Sequence, residues 1–148
     1  AEQLFNKTNQ FNFSTNRYSK NQLTSIKNKN NTTIKLLSLS DKFGDHGIIG
    51  SYICIHQKNC IIVSDFLLSC RILSRKIEEY VIYLIQKENK NKEVYLRHIK
   101  TDKNKELIKI FIENDYFKKV NIKIITKLKG ELYKVLLNKR LNNVKKFF

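Results

Sequence analysis

A chain of 148 residues with 29 Lys+Arg against 13 Asp+Glu carries a formal charge of +16. That length suits one domain able to bury roughly two-thirds of its unfolded surface, and a hydrophobic share of 41% excludes wholesale disorder. The longest uncharged stretch, from His46 to Gln57, is too short to cross a bilayer as a helix. No basic segment followed by an apolar run opens the chain, so no signal peptide is visible and a cytoplasmic, non-membrane protein is expected. Ala rather than Met at position 1 points to a fragment or a processed chain.

Residues 1–32 read as a lead-in segment, packed by Phe5, Phe11, Phe13 and Tyr18 and holding a short helix around Leu23 and Ile26. A polar loop follows from Lys27 to Asn31. The domain proper is expected over 33–137, with a basic tail at 138–148 that frays. Thr33–Ser40 reads as a strand, and Asp41–Gly47 as a turn whose two glycines are free to take positive φ. Ile48–His56, apolar on both faces, predicts a central strand. Gln57–Asn59 turns the chain into a third strand, Cys60–Leu68.

Ile77, Val81, Leu84 and Ile85 recur at helical spacing, with charge on the opposite side. After a polar break at Glu88–Lys92, Val94–Ile99 reads as a strand. A second helix is expected over Lys103–Asn114, striped by Leu107, Ile110 and Phe111 and capped by Thr101 or Asp102. Val120–Thr126 reads as another strand, and Leu132–Leu137 fits either a last strand or a short helix. The order predicts an α/β (α+β) fold, a mixed, mostly antiparallel sheet with flanking helices.

The basic excess is mostly Lys, the arginines being Arg17, Arg71, Arg75, Arg97 and Arg140. Lys, Asn and Ile share A/T-rich codons, so base composition alone accounts for much of the charge. No stripe alternating basic and aromatic residues is present to stack bases, which argues against nucleic acid as partner. Cys54, Cys60 and Cys70 are odd in number and follow no export signal, so reduced thiols are expected. Cys54, His56, Cys60 and Cys70 lack the tight pair of a structural zinc site, and no metal is expected.

The sharpest constellation is Leu68–Glu78, where a strand ends and a helix begins. Free backbone N–H groups and the positive end of the helix dipole suit an anion there, and Arg71 and Arg75 add charge. Cys70, just before the first turn, is the thiol best placed for a lowered pKa. In the alternative, Ser69 caps the helix and Cys70 packs underneath.

Four blocks carry a resemblance: Lys7–Asn12 (KTNQFN), Asp41–Gly50 (DKFGDHGIIG), Ser69–Glu78 (SCRILSRKIE) and Thr101–Asn104 (TDKN). In this order they resemble the C-terminal half of FkbH-like proteins. The resemblance implies a GNAT-like acetyltransferase fold, normally preceded by a HAD-type phosphatase domain. It implies handling of an acyl, glyceryl-type unit for loading onto an acyl carrier protein, as in polyketide assembly, with acyl-CoA or a phosphopantetheine arm as the group held. No D-x-D follows an apolar strand in this chain, so the phosphoryl step would belong to the partner domain.

Residue by residue, Cys70, Arg71, Arg75 and Glu78 match the family block S-C-R-x-L-G-R-G-x-E, while Ser74 and Lys76 stand where it has glycine. The resemblance thus gives Arg71, Ser74, Arg75 and Lys76 as the cofactor-binding set. It gives Asp45, Thr101, Lys103 and Asn104 as the substrate side, although Asp41 and Asp45 also suit fixing a glycine turn. Asp115-Tyr116-Phe117 replaces the family's Gly-Phe helix end. Cys70 is the candidate covalent acyl station, and His98, beside the Thr101–Asn104 block, is a better candidate base than His46. Two other readings stay open: a degenerate domain that docks a carrier protein or the phosphatase partner, and a lysine-rich nucleic-acid-binding domain.

Overall fold

A computed structural model of the chain describes residues 12–14, 16–69 and 76–136. The lead-in aromatics Phe5 and Phe11, the 138–148 tail, and Cys70, Arg71, Ser74 and Arg75 lie outside the described residues. Helix α1 (Lys20–Lys27) starts where Ser19 and Gln22 cap each other reciprocally. It drops Leu23 onto Ile53 and Leu67.

Strands β1 (Thr32–Asp41) and β2 (Gly44–His56) form a long hairpin. The turn expected over Asp41–Gly47 is shorter than that. Lys42 and Phe43 alone connect the strands, the Asp41 carboxylate accepts from the Phe43 N–H at 2.8 Å, and Asp45–Gly47 already belong to β2. Strand β3 (Cys60–Leu68) pairs antiparallel with β2 and every one of its residues is buried, as an apolar run on both faces requires. Ser64 is an extra residue in β3, because Ile53 faces Asp65 while Cys54 faces Val63.

Helix α2 (Ile77–Glu88) carries the chain across to β4 (Glu93–His98), which lies parallel to β3. Ile77, Val81 and Ile85 are buried as the helical spacing predicts, but Ile82 rather than the half-buried Leu84 completes the buried face. The second helix is shorter than Lys103–Asn114. Residues 102–106 are turns, held by the Asn104 side chain, and α3 (Leu107–Glu113) begins after them. Ile108 and Phe111 are buried and Leu107 partly buried, while the expected stripe position Ile110 has a side chain outside the described ones.

The strand expected over Val120–Thr126 is not formed. Strand β5 (Phe117–Val120) precedes that segment, which is a single helical turn, α4 (Ile122–Ile125). The Asn121 side chain accepts from the Lys123 N–H at 3.1 Å, capping the turn. Helical spacing then lets Ile122 and Ile125 both pack against Tyr95 and Leu132, which alternation along a strand would not. Strand β6 (Glu131–Val135) settles the ambiguous last element as a strand lying between β4 and β5.

The six strands run in the order β1-β2-β3-β4-β6-β5, with β3–β4 the parallel pair and the other neighbours antiparallel. Helices α2 and α3 cover one face, where the larger core holds Phe66, Leu68, Val81, Ile82 and Phe111. The other face carries two smaller clusters, around Leu23 and around Ile62 and Leu132. Among the described residues no helix is long and apolar enough to cross a membrane.

Gly50 lies close against β3. A Cβ there would lie 2.6 Å from Leu68 Cδ2 and 2.7 Å from the Leu67 carbonyl oxygen. The Gly50→Ala chain is expected to lose about 1–3 kcal/mol of stability through overpacking, read as a lowered urea midpoint. An unchanged midpoint would mean that β2 and β3 lie further apart than this.

Candidate functional site

The carboxyl ends of the parallel strands β3 and β4 open to the same side, where ligands of α/β sheets are generally held. The segment after β3 starts with the Ser69 N–H donating to the Ile49 carbonyl at 2.6 Å. At its far end Lys76, exposed, sits at φ 62°, a left-handed conformation that favours glycine. Helix α2 starts there with no side-chain cap, and Glu78 stands in its first turn. Burial pushes the Glu78 carboxyl up from its ordinary value, and its Oε2 has no hydrogen-bond partner among the described residues. Cys70, Arg71, Ser74 and Arg75 belong to the segment between and lie outside the described residues.

The Thr101–Asn104 block forms an internal knot. Asn104, fully buried, accepts from the Thr101 N–H at 2.7 Å and donates from Nδ2 to the carbonyls of Ile99 and Asn12, both at 2.9 Å. The Thr101 hydroxyl accepts from the Asn104 N–H at 3.2 Å, while Lys103 is exposed. His98 Nε2 lies 3.2 Å from the same Asn104 oxygen. Because that oxygen accepts from a backbone N–H, Nε2 is the protonated nitrogen of His98 and Nδ1 carries the lone pair. Nδ1 is buried with no partner among the described residues, and the ring lies against Phe13 and Tyr133. Burial lowers the His98 pKa, which keeps the ring neutral.

His46 and Asp45 stand elsewhere, on the β1–β2 hairpin. His46 Nε2 is 3.0 Å from Asp41 Oδ2, and the exposed Asp45 carboxylate accepts from the Gly47 N–H at 2.7 Å. The hairpin still runs past the end of β3, since Gly50 already faces Leu68. Residues of the four resemblance blocks, though not the hairpin tip with Asp45 and His46, therefore meet at this end of the sheet: Asn12 on Asn104, Ile49 on Ser69, and Lys76 and Glu78 entering α2.

Sequence reasoning missed the network that holds this end together. Strands β3 and β4 pair only from Cys60 to Val63 and then part at the Ser64 bulge. Residues 12–14 fill the opening: the Phe13 N–H donates to the Phe66 carbonyl at 3.0 Å, and the Ile99 N–H to the Phe13 carbonyl at 2.7 Å. Phe13 stacks on Phe66, with ring centroids 5.7 Å apart.

Beside them the buried Asp65 carboxylate accepts from Asn16 Nδ2 at 3.1 Å, the Tyr18 hydroxyl at 3.0 Å, the Ser64 hydroxyl at 2.8 Å, and the Ser14 hydroxyl. Burial first, and the Asp65 charge next, push the Tyr18 pKa upward, so it stays a donor. Arg97, also buried, donates from Nε to the Ser64 carbonyl at 2.9 Å and from Nη1 to the Lys129 carbonyl at 3.1 Å. Its Nη2 stands 3.8 Å from Asp65 Oδ1. The visible signal was one charge inside each of two apolar strands, CIIVSDFLL and EVYLRH.

Among the described residues no group of three or more His, Cys, Asp and Glu could hold a metal. Cys54 and Cys60 are buried free thiols, and burial pushes the Cys54 thiol up to about 12, far from a thiolate ligand. His56 Nε2 lies 2.9 Å from the Thr33 hydroxyl.

Two solved structures share the architecture. An acetyltransferase of the GNAT family from Staphylococcus aureus Mu50 superposes with a TM-score of 0.50 at 17% identity, over 69% of this chain and 66% of that one. The fold is that of a GNAT acetyltransferase. A domain from Methanocaldococcus jannaschii DSM 2661 matches with a TM-score of 0.57 at 16% identity, over 80% of this chain and 75% of that one. The present chain thus spans just under two-thirds of the staphylococcal GNAT protein's length. No protein-family model and no curated protein sequence matches the chain.

His98 supplies a pH test of the buried knot. Its folded pKa lies below the ordinary 6.5, so the unfolded chain binds that proton more tightly. The contribution is present in full above about pH 6.5 and is lost as pH falls below it. The His56 pKa is lowered in the same direction, so the comparison is with a variant. Urea midpoints of the His98→Gln chain are expected to fall less between about pH 7.5 and 5.5 than those of the parent. Parallel slopes would mean that His98 titrates as it does in the unfolded chain.

Proposed function

We propose that this GNAT-fold domain is an acyl-transfer module of FkbH-like type, passing an acyl unit of glyceryl type to an acyl carrier protein. One observation carries the reading: residues of separate sequence blocks meet near the carboxyl ends of the parallel pair, Asn12 on Asn104 and Ile49 on Ser69, with Lys76 and Glu78 at the entry to α2. A fold that gathers separated blocks at the carboxyl ends of parallel strands is what a binding site requires.

In this reading Arg71, Ser74, Arg75 and Lys76, at the N-terminus of α2, neutralise the phosphates of acyl-CoA or of a carrier's phosphopantetheine arm. The Cys70 thiolate attacks the carbonyl carbon of the donor thioester, and the donor sulfur leaves as the new Cys70 thioester forms. The carrier's pantetheine thiol then attacks that thioester, and the Cys70 sulfur is released. His98 Nδ1, unprotonated and without a partner among the described residues, is the base that in each half takes the proton of the attacking thiol, first that of Cys70 and then that of the carrier, and returns it to the leaving sulfur. Asn104 and Thr101 position the imidazole, and Asp45 and Lys103 stand on the substrate side. The +16 charge steers an acidic carrier onto the domain. A HAD-type phosphatase domain supplies the phosphoryl step.

Two observations favour a second reading, a docking domain without chemistry. Side chains at Ser74 and Lys76 crowd a phosphate cradle built from glycines, and residues 12–14 fill the opening between β3 and β4.

Intact-mass measurement of the chain after incubation with an acyl-charged carrier protein separates the two, beside a Cys70→Ser variant. A mass gain of one acyl group that disappears in the variant is expected for the transfer module. No adduct but a salt-sensitive complex with the carrier supports the docking domain. Neither adduct nor complex overturns both.

A further inference from the structure

On the sheet face opposite α2 and α3, a cavity of about 430 Å³ opens beside Asp65 and Arg97. We propose that it binds a small amphiphilic anion, a carboxylate or phosphate monoester with a short apolar body. The site is independent of Cys70 and of the acyl-transfer reading.

The charges facing the cavity are unbalanced. Arg97 lines its floor, the exposed Lys29, Lys127 and Lys129 stand around it, and Asp65 is its one carboxylate. That carboxylate already accepts from four side chains, so it has little left to offer an ammonium group.

Arg97 is in the opposite condition. It does not meet Asp65 as a two-pronged pair, because Nε and Nη1 are held by the carbonyls of Ser64 and Lys129, and Nη2 stands off at 3.8 Å. The two hydrogen bonds occupy two of the five guanidinium N–H groups. The other three have no acceptor within hydrogen-bond distance among the described residues, although Arg97 is only 6% exposed. A buried guanidinium with idle donors, facing a cavity ringed by lysines, is a receptor for an oxyanion.

Of the uncharged lining, Asn16, Tyr18 and Ser64 are engaged with Asp65 and Thr32 is polar, while Ile26, Ile53, Ile55, Ile99 and Leu128 present apolar surface. An inorganic ion would leave that surface wet, whereas a short hydrocarbon attached to the anion would cover it. The volume suits a small molecule and is far too small for a duplex or a folded partner.

The test is titration of the ¹⁵N-labelled chain, at constant ionic strength, with hexanoate, hexyl phosphate, hexylamine and hexanol. Both anions are expected to give saturable shifts at Arg97 Nε and at the amides of Ile53, Ile99 and Leu128, and the amine and alcohol are expected to give none. Tighter binding of hexyl phosphate marks a phosphate site, and equal or tighter binding of hexanoate marks a carboxylate site. Because Arg97→Gln leaves Asp65 buried without its cation, the mutational arm uses the exposed rim. Lys127→Gln with Lys129→Gln is expected to weaken both anions about fivefold while leaving the parent spectrum otherwise intact. Saturation by hexylamine or hexanol, shifts that map elsewhere, unchanged affinity in the rim variant, or no saturable shifts at all would overturn the proposal.

Discussion

A buried carboxylate sets the conditions for the centre of this molecule. Removing Asp65 from water carries a penalty of several kcal/mol unless the charge is paired and hydrogen-bonded. The fold meets that requirement with the neighbouring serine and groups from two distant stretches of chain. Ser14, Asn16 and Tyr18 come from the lead-in, Ser64 from the bulge next door, and Arg97 from the neighbouring strand. Arg97 in turn holds the Lys129 carbonyl, just before β6. One acid thus ties the lead-in, the parallel pair and the last hairpin to a single geometry.

The parting of β3 and β4 follows from the same place. Ser64 breaks the ladder, and beyond it the two strands would face one another with unmatched backbone groups. Residues 12–14 supply the missing partners, and Phe13 fills the opening between Phe66 and His98. That insertion divides the region in two. On the helical side lie the neutral His98, Asn104 and the entry to α2. On the other lie Arg97 and its cavity.

The two sides have different electrostatic characters. The His98 side is dry and aromatic, which disfavours charge and keeps the imidazole neutral. The Arg97 side is half-open and cationic, with its single acid neutralised from within. GNAT architecture accounts for the frame, and these departures from a plain sheet give the frame its own chemistry.

The alternation in β1, the apolar runs of β2 and β3 and the helical spacing of α2 were legible in the chain, because each rests on period and burial along one segment. So was the strand-to-helix junction, with β3 ending at Leu68 and Glu78 in the first turn of α2. The sequence could not tell that Ile122–Ile125 is a helical turn. Its apolar composition suits a strand equally well, and the choice rests on Asn121 capping it and on Tyr95 and Leu132 receiving its side chains. Nor could it show that Thr101 and Asn104 fix His98, or that Asp65 and Arg97 meet thirty-two residues apart. Periodicity is local, whereas satisfying a buried charge depends on groups that only the folded chain brings together.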